Sequence, residues 1–241
     1  PETANPIDVN INSIKKLEAA KPDSHLLKFN PPKADSSGDN SFSFELPIPA
    51  GRNGLQPQLA ISYSSGAGNG LMGIGFNINY GSTITIDTRK KLPEYNDTDV
   101  YIKDGIKLRP INQQGEYELL RKSYKENIKR YNAFERGDYW EVIDARGTIY
   151  RYGLYGIDST KPNNSLICNE EKDKIYSWYL TEVIDVNGNY ILYEYKKNKN
   201  YVYPDKITYT GKIDGKPGNY FVKFNYIDET NENKRKDVRV D

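Results

Sequence analysis

The residue types that ordinarily carry chemistry are scarce in this chain. His25 is the one histidine and Cys168 the one cysteine in 241 residues. A Ser-His-Asp or Cys-His nucleophilic system would have to use His25, which lies in a proline-punctuated N-terminal stretch. A zinc site of several Cys or His ligands cannot be assembled. The sequence Gly66-Ala67-Gly68-Asn69-Gly70 follows a strand-like run, and Asp87 stands about 20 residues beyond, superficially a dinucleotide fingerprint. The helix such a site needs is missing, because Leu71-Met72-Gly73-Ile74-Gly75 is too glycine-rich, so a cluster of structural turns is expected. Glu116-Tyr117-Glu118 has the form of a paired-carboxylate catalytic motif, but two glutamates on one face of a strand are usually solvated. Arg136-Gly137-Asp138 spells an integrin-type tripeptide and equally reads as a turn into the strand of Tyr139-Trp140. Asp185-Val186-Asn187-Gly188 and the run from Asp228 to Asp237 hint at calcium loops, yet neither has the spacing of an EF-hand or its bidentate Glu. No catalytic residue, metal or cofactor is expected.

The composition points the same way. Lys and Arg number 34 against 33 Asp and Glu, so no global field draws nucleic acid or an anionic membrane. One cysteine excludes an internal disulfide. No apolar run approaches the roughly 20 residues of a membrane span, and no signal peptide is expected within the chain. Tyrosines number 21, and Tyr suits a pleated surface with its ring packed and its hydroxyl wet. That argues for sheets with a solvated face.

Residues 1–40 read as a tail or linker, with Ile11, Ile14 and Leu17 permitting one short helix, and residues 41–241 as a β-rich segment of a longer protein. Phe42, Phe44 and Leu46 alternate with polar residues, as do Leu59, Ile61 and Tyr63, and Thr83 to Thr88 has high β-propensity. An internal echo follows. Glu141-Val142-Ile143-Asp144 precedes a turn with Gly147, and Glu182-Val183-Ile184-Asp185 precedes a turn with Gly188, each then entering a Tyr-rich run. Both predict a β-hairpin with glycine at a positive-φ position. Asp104-Gly105 and residues Gly215 to Asn219 predict further hairpin tips, and Glu118 to Tyr131 predicts the one longer helix. The runs Tyr190 to Tyr195 and Tyr220 to Tyr226 are expected to be unpaired strand edges.

The stretch from Phe44 to Phe76 resembles the opening of the SpvB family, found in a Salmonella plasmid virulence protein and in the B components of insecticidal Tc toxins. The matching residues are Pro49 in a Pro-rich strand, Gly51 and Arg52 in an Ala-Gly-Arg turn, and Pro57 and Tyr63 in a Pro-x-Leu-x-x-x-Tyr strand. Gly66, Gly68, Asn69 and Gly70 follow, then Gly73, Gly75 and Phe76, the last standing where the family has Trp. Further on, Trp140, Gly147, Trp178, Asp185 and Gly188 resemble the YD-type hairpins of Rhs-related shells. The resemblance implies an all-β fold of antiparallel hairpins forming curved sheets, part of a hollow shell. It implies a non-catalytic segment of a secreted toxin that encloses or delivers a C-terminal payload. Its partners would be the remaining shell segments of the parent chain or a C-type toxin component. In some relatives the region precedes an ADP-ribosyltransferase, which gives Glu116-Tyr117-Glu118 extra interest, but the upstream Arg and Ser-Thr-Ser strand of such enzymes are not in register here. The alternative is an independent β-sandwich module that docks a host or partner surface.

Overall fold

The structure, a computed structural model, describes residues 33–34, 38–120, 126–133, 137–154, 164–169, 174–198, 201–215 and 217–226. Strands β1 (Lys33–Ala34), β2 (Asn40–Glu45) and β3 (Ala60–Ser64) begin a small antiparallel sheet. The hairpin of β4 (Asn69–Gly70) and β5 (Gly73–Ile74) then leads into β6 (Phe76–Asn79), which completes that sheet beside β3. Its register places Phe42, Tyr63 and Phe76 in one row and Phe44, Ile61 and Ile78 in the next, on the same face.

The larger sheet closes on itself. Strands β7 (Thr83–Ile86), β8 (Tyr101–Lys103), β9 (Ile106–Pro110), β10 (Glu116–Leu119), β11 (Asn127–Ala133), β12 (Gly137–Ile143) and β13 (Ile149–Tyr152) pair each with the next, all antiparallel. After β14 (Leu166–Cys168), the ten-residue β15 (Ile175–Ile184) joins both ends of that series. One edge of β15 takes β14 and then β13, and the other takes β7 and then β16 (Asn189–Asn198). The result is an eight-stranded barrel of β7 to β13 and β15. It extends outward through β16, β17 (Tyr201–Lys212) and β18 (Tyr220–Lys223).

At eight strands a barrel is just wide enough for side chains to fill it. Trp140 and Trp178 are 0% exposed with their rings 5.8 Å apart, and Ile84, Ile128, Val142 and Tyr152 are equally buried. Each large side chain so buried contributes about 3 kcal/mol. The curvature expected for a shell is therefore carried to closure here, around packed side chains instead of a lumen. A register shift between Arg151 and Tyr152, where β13 meets β15, assists the bend.

Two expectations are corrected. Of the helix expected over Glu118 to Tyr131, residues 121–125 lie outside the described residues, and its two ends are strands β10 and β11, where Tyr117 and Leu119, then Ile128 and Arg130, alternate inward. Its Lys- and Glu-rich composition favours helix locally, and strand pairing on both sides overrides that preference. The run Tyr190 to Tyr195 is not an exposed edge: Tyr190 to Leu192 pair with both β15 and β17, and Tyr193 and Tyr195, laddered to β17 alone, are buried with Tyr190. The Tyr220 end behaves as expected, since β18 pairs with β17 alone among the described residues.

Candidate functional site

Strand alternation decides what the open end of the barrel contains. Arg130 on β11 and Asp138 on β12 both point inward, Asp138 lying two residues along β12 from Trp140, the register partner of Arg130. Arg130 Nε donates to Asp138 Oδ1 at 2.9 Å and Nη2 donates to Oδ2, forming a two-point ion pair. Nη1 donates to the Tyr101 hydroxyl. The guanidinium lies 5.1 Å from the Tyr101 and Trp178 ring centroids and 5.7 Å from that of Trp140. Burial alone would lower the Arg130 pKa, but the Asp138 carboxylate outweighs it and holds the charge. Burial also pushes the Tyr101 phenol up to about 12, against the pull of Arg130, so it stays neutral. Above this group opens a cavity of about 1020 Å³, rimmed by the loops around Asn96 and Gln113. Away from this group, Lys103 and Glu126 form a largely buried ion pair at 3.3 Å, and Ser82 bridges the exposed Asp104 (2.6 Å) and the buried Tyr152 hydroxyl (3.0 Å).

The motifs that invited chemistry are spread apart. Glu116 and Glu118 sit on the outer face of β10, where Glu116 accepts from Asn112 and Glu118 from Arg109. They share no cleft with the Arg130 group. In the glycine-dense loop, the amides of Ala67, Met72 and Gly75 donate to the carbonyls of Ser64, Phe76 and Gly68, so they are spent on the turn itself. Gly137 already belongs to β12, Asp138 is committed to Arg130, and Arg136 lies outside the described residues. Asp185 Oδ1 accepts from the amides of Asn187 and Asn189, both at 2.8 Å, and Oδ2 from the Asn189 side chain. Asp144 does the same for the amides of Arg146 and Thr148, at 2.8 and 2.9 Å. These are twin turn-building aspartates, not cation ligands. Gly147 (φ +81°) and Gly188 (φ +77°) supply the left-handed position in each turn. Cys168 is half-buried with Sγ 3.9 Å from Lys197 Nζ. His25 and the run Asp228 to Asp237 lie outside the described residues.

The comparisons with known proteins bear on this arrangement. The family model described as Salmonella virulence plasmid 65kDa B protein, SpvB, matches residues 34–238. The chain belongs to the SpvB family. Over 72 residues it is 38% identical to the mono(ADP-ribosyl)transferase SpvB of Salmonella typhimurium and 39% identical to that of Salmonella choleraesuis. Those matches cover 29% of this chain and only 12% of each relative. The solved N-terminal domain of the effector protein SpvB from Salmonella typhimurium strain LT2 is similar with a TM-score of 0.58 at 22% identity. That match covers 69% of this chain and 63% of the domain. The TcdB2-TccC3-Cdc42 structure is similar over 70% of this chain and 9% of its own, with a TM-score of 0.59 at 22% identity. The Photorhabdus luminescens Tc holotoxin pore matches 76% of this chain and 10% of its own, with a TM-score of 0.58 at 21% identity. At these identities the structural likeness is one of fold. It is the all-β fold of an SpvB N-terminal domain and of a Tc toxin component.

In this SpvB-family chain the stretch from Pro49 to Phe76 splits into two devices. The first is a clamp: the Tyr209 hydroxyl donates to the Pro49 carbonyl at 3.0 Å, Arg52 Nε donates to the Thr210 carbonyl, and Pro57 is buried. Gly51 is required by close approach, since a Cβ there would stand 1.8 Å from the Leu55 carbonyl oxygen. The second is the small sheet, where Tyr63 stacks on Phe42 (5.3 Å) and meets Phe76 (4.7 Å). There Gly73 and Gly75 have positive φ, Asn69 and Gly70 form β4, a Cβ on Gly66 would press on Asp39, and Gly68 faces open space. Trp178 Nε1 donates to the Asp138 carbonyl at 3.1 Å, tying Trp178 and the neighbouring Trp140 to the Arg130 group. Sequence reasoning missed Arg130, Tyr101 and Thr210. Inward alternation of Arg130 with Ile128 was the available signal, and the helical reading of that stretch hid it.

Proposed function

We propose that this chain is a non-catalytic scaffold segment of a secreted bacterial toxin, contributing to the β-shell that encloses or delivers a C-terminal payload. Residues 41–241 are proposed as the shell segment and residues 1–40 as a tail or linker, whose Lys33–Ala34 already pairs with β2 and whose last residues fall within the family match. The observation that carries this reading is where the molecule leaves apolar surface uncovered. Tyr220 and Phe221 are exposed on β18, the outermost strand among the described residues, Phe221 by 59% with Lys206 Nζ over its ring at 4.9 Å, and Met72, Ile74 and Phe76 are exposed at the margin of the small sheet. A self-standing domain protects such edges with charge or cover, whereas a segment of an assembly reserves them for its neighbours. Likeness to SpvB and Tc toxin structures supports the remaining shell segments of the parent chain, or a C-type component, as those neighbours. The polar groups support the same reading, since the motifs with a catalytic look are spent on turns and ion pairs.

Size-exclusion chromatography with light scattering tests the proposal. The expected result is self-association of the chain alone, relieved by the adjoining shell segments and by Phe221→Lys. A sharp monomer indifferent to those segments would favour the independent binding module.

A further inference from the structure

We propose that the open mouth of the barrel is a binding site for a neutral saccharide, a function separate from scaffolding. The cavity there, about 1020 Å³, is at the upper end of small-molecule sites. Its rim carries planar, hydrogen-bonding side chains: Asp97, Gln113 and Gln114 are exposed around it, with Tyr95 offering ring surface beside them, while the Asn96 amide is spent on Glu94 and Thr98 and the half-buried Tyr117 ring packs on Tyr101 and Trp140. Amides and carboxylates present paired donors and acceptors that match vicinal hydroxyls, and aromatic faces accept the C–H face of a sugar ring.

The same residues argue against the other ligand classes. Among the described lining residues, Asp97, Asp99 and Asp138 outnumber the one cation, Arg130, and even with Lys91 3.9 Å from Asp99 a phosphate or nucleotide would find no cluster of free positive charge. A lipid or other apolar ligand would meet a mostly polar wall. A cationic ligand would find the best ring faces, those of Tyr101, Trp140 and Trp178, already covered by Arg130. It would also find two carboxylates already engaged: Asp138 by Arg130, and Asp99 by the amides of Glu94 (3.0 Å) and Asn96 (3.2 Å). Among the described lining residues this leaves the exposed Asp97 carboxylate beside the neutral amides of Gln113 and Gln114, which suits a polyhydroxyl ligand.

The test presents the 241-residue chain to a printed array of neutral glycans and titrates the strongest hits by calorimetry. At least one neutral oligosaccharide should bind, with little change on raising salt. Gln113→Ala combined with Gln114→Ala, and separately Asp97→Asn, should weaken it by about tenfold or more with the melting temperature unchanged. Asp97→Asn keeps the side-chain shape, so it reads the contact even if the double variant loses stability. The proposal is overturned if no glycan on the array binds, or if binding survives both sets of changes. It is also overturned if only amines or basic peptides bind and added salt removes them.

Discussion

Arg52 Nε donates to the Thr210 carbonyl oxygen at 2.8 Å, joining residues 158 positions apart. Thr210 is the one β-branched residue among the described residues with a left-handed backbone, at φ +71°. Such a conformation costs of order 1–3 kcal/mol and persists only where its surroundings hold it. Here the Thr210 hydroxyl accepts from the amides of Asn219 and Tyr220, its carbonyl is held by Arg52, and the adjacent Tyr209 is bonded to Pro49. The Pro-Ala-Gly-Arg turn therefore docks the 46–59 segment onto β17.

Arg52→Ala should loosen that docking. Because Arg52 is exposed, the expected loss is about 1 kcal/mol. Hydrogen exchange should quicken at the Leu46 amide, which pairs with Leu59, before the barrel strands respond. Unchanged protection at Leu46 would show that the clamp contributes nothing.

Removing one member of the Arg130–Asp138 pair leaves an uncompensated charge in the barrel mouth. Arg130→Ala and Asp138→Ala should each destabilise by about 3 kcal/mol in urea titrations. Arg130→Met together with Asp138→Leu should recover much of that loss, since apolar groups need no partner there. A double variant as unstable as the sum of the two singles would contradict this account.

The glycines divide by the space around them. A Cβ on Gly51 would meet the Leu55 carbonyl oxygen at 1.8 Å, and one on Gly211 would meet the Tyr190 ring at 2.1 Å, whereas Gly68 has nothing within 4 Å. Gly51→Ala and Gly211→Ala should lower stability by about 1–3 kcal/mol, and Gly68→Ala should leave the Tm within error. Thermal melts of the three variants separate the cases.

Acid should weaken the fold in a defined window. The Arg89 guanidinium holds the Asp87 carboxyl well below the usual range. Burial alone would raise Asp185 and Asp205. Hydrogen bonds from Asn189 and Asn187 outweigh it for Asp185, and those from Lys196 and Lys223 outweigh it for Asp205. A depressed folded-state pKa contributes stability that is complete above the unfolded value of about 4 and is lost as pH falls through the folded value. The urea midpoint should therefore be flat near neutral pH and decline below about pH 4. Asp87→Asn should be less stable at neutral pH and show a shallower acid decline.

Local features were legible in the sequence because their causes are local. The alternation of Phe42, Phe44 and Leu46 makes a strand wherever one face is buried, and Asp-x-x-Gly makes a turn from its own side chain and amides. So Asp144 with Gly147 and Asp185 with Gly188 could be read as twin hairpins from a 41-residue echo, and both form. That the two tips would touch, with a Gly147 Cβ placed 2.9 Å from Val186, could not be read. The tyrosines were legible as strand formers but not as core. Tyr195 and Tyr209 are buried with each hydroxyl donating to a backbone carbonyl, that of Leu180 and that of Pro49, the latter 160 positions away. Closure of the barrel depends on β15 meeting β7 along one edge and β13 along the other, a matter of register between residues up to about a hundred positions apart. The same closure makes strands of both described ends of a helix-favouring stretch, residues 118–119 and 127–131, and brings Arg130 beneath Tyr101 and beside Trp140 and Trp178. Propensity and turn chemistry act over a few residues, while pairing and burial act across the whole chain. The sequence alone thus determined an antiparallel all-β chain of the SpvB type, and only tertiary packing decided that its sheet closes, what fills it and what its mouth presents.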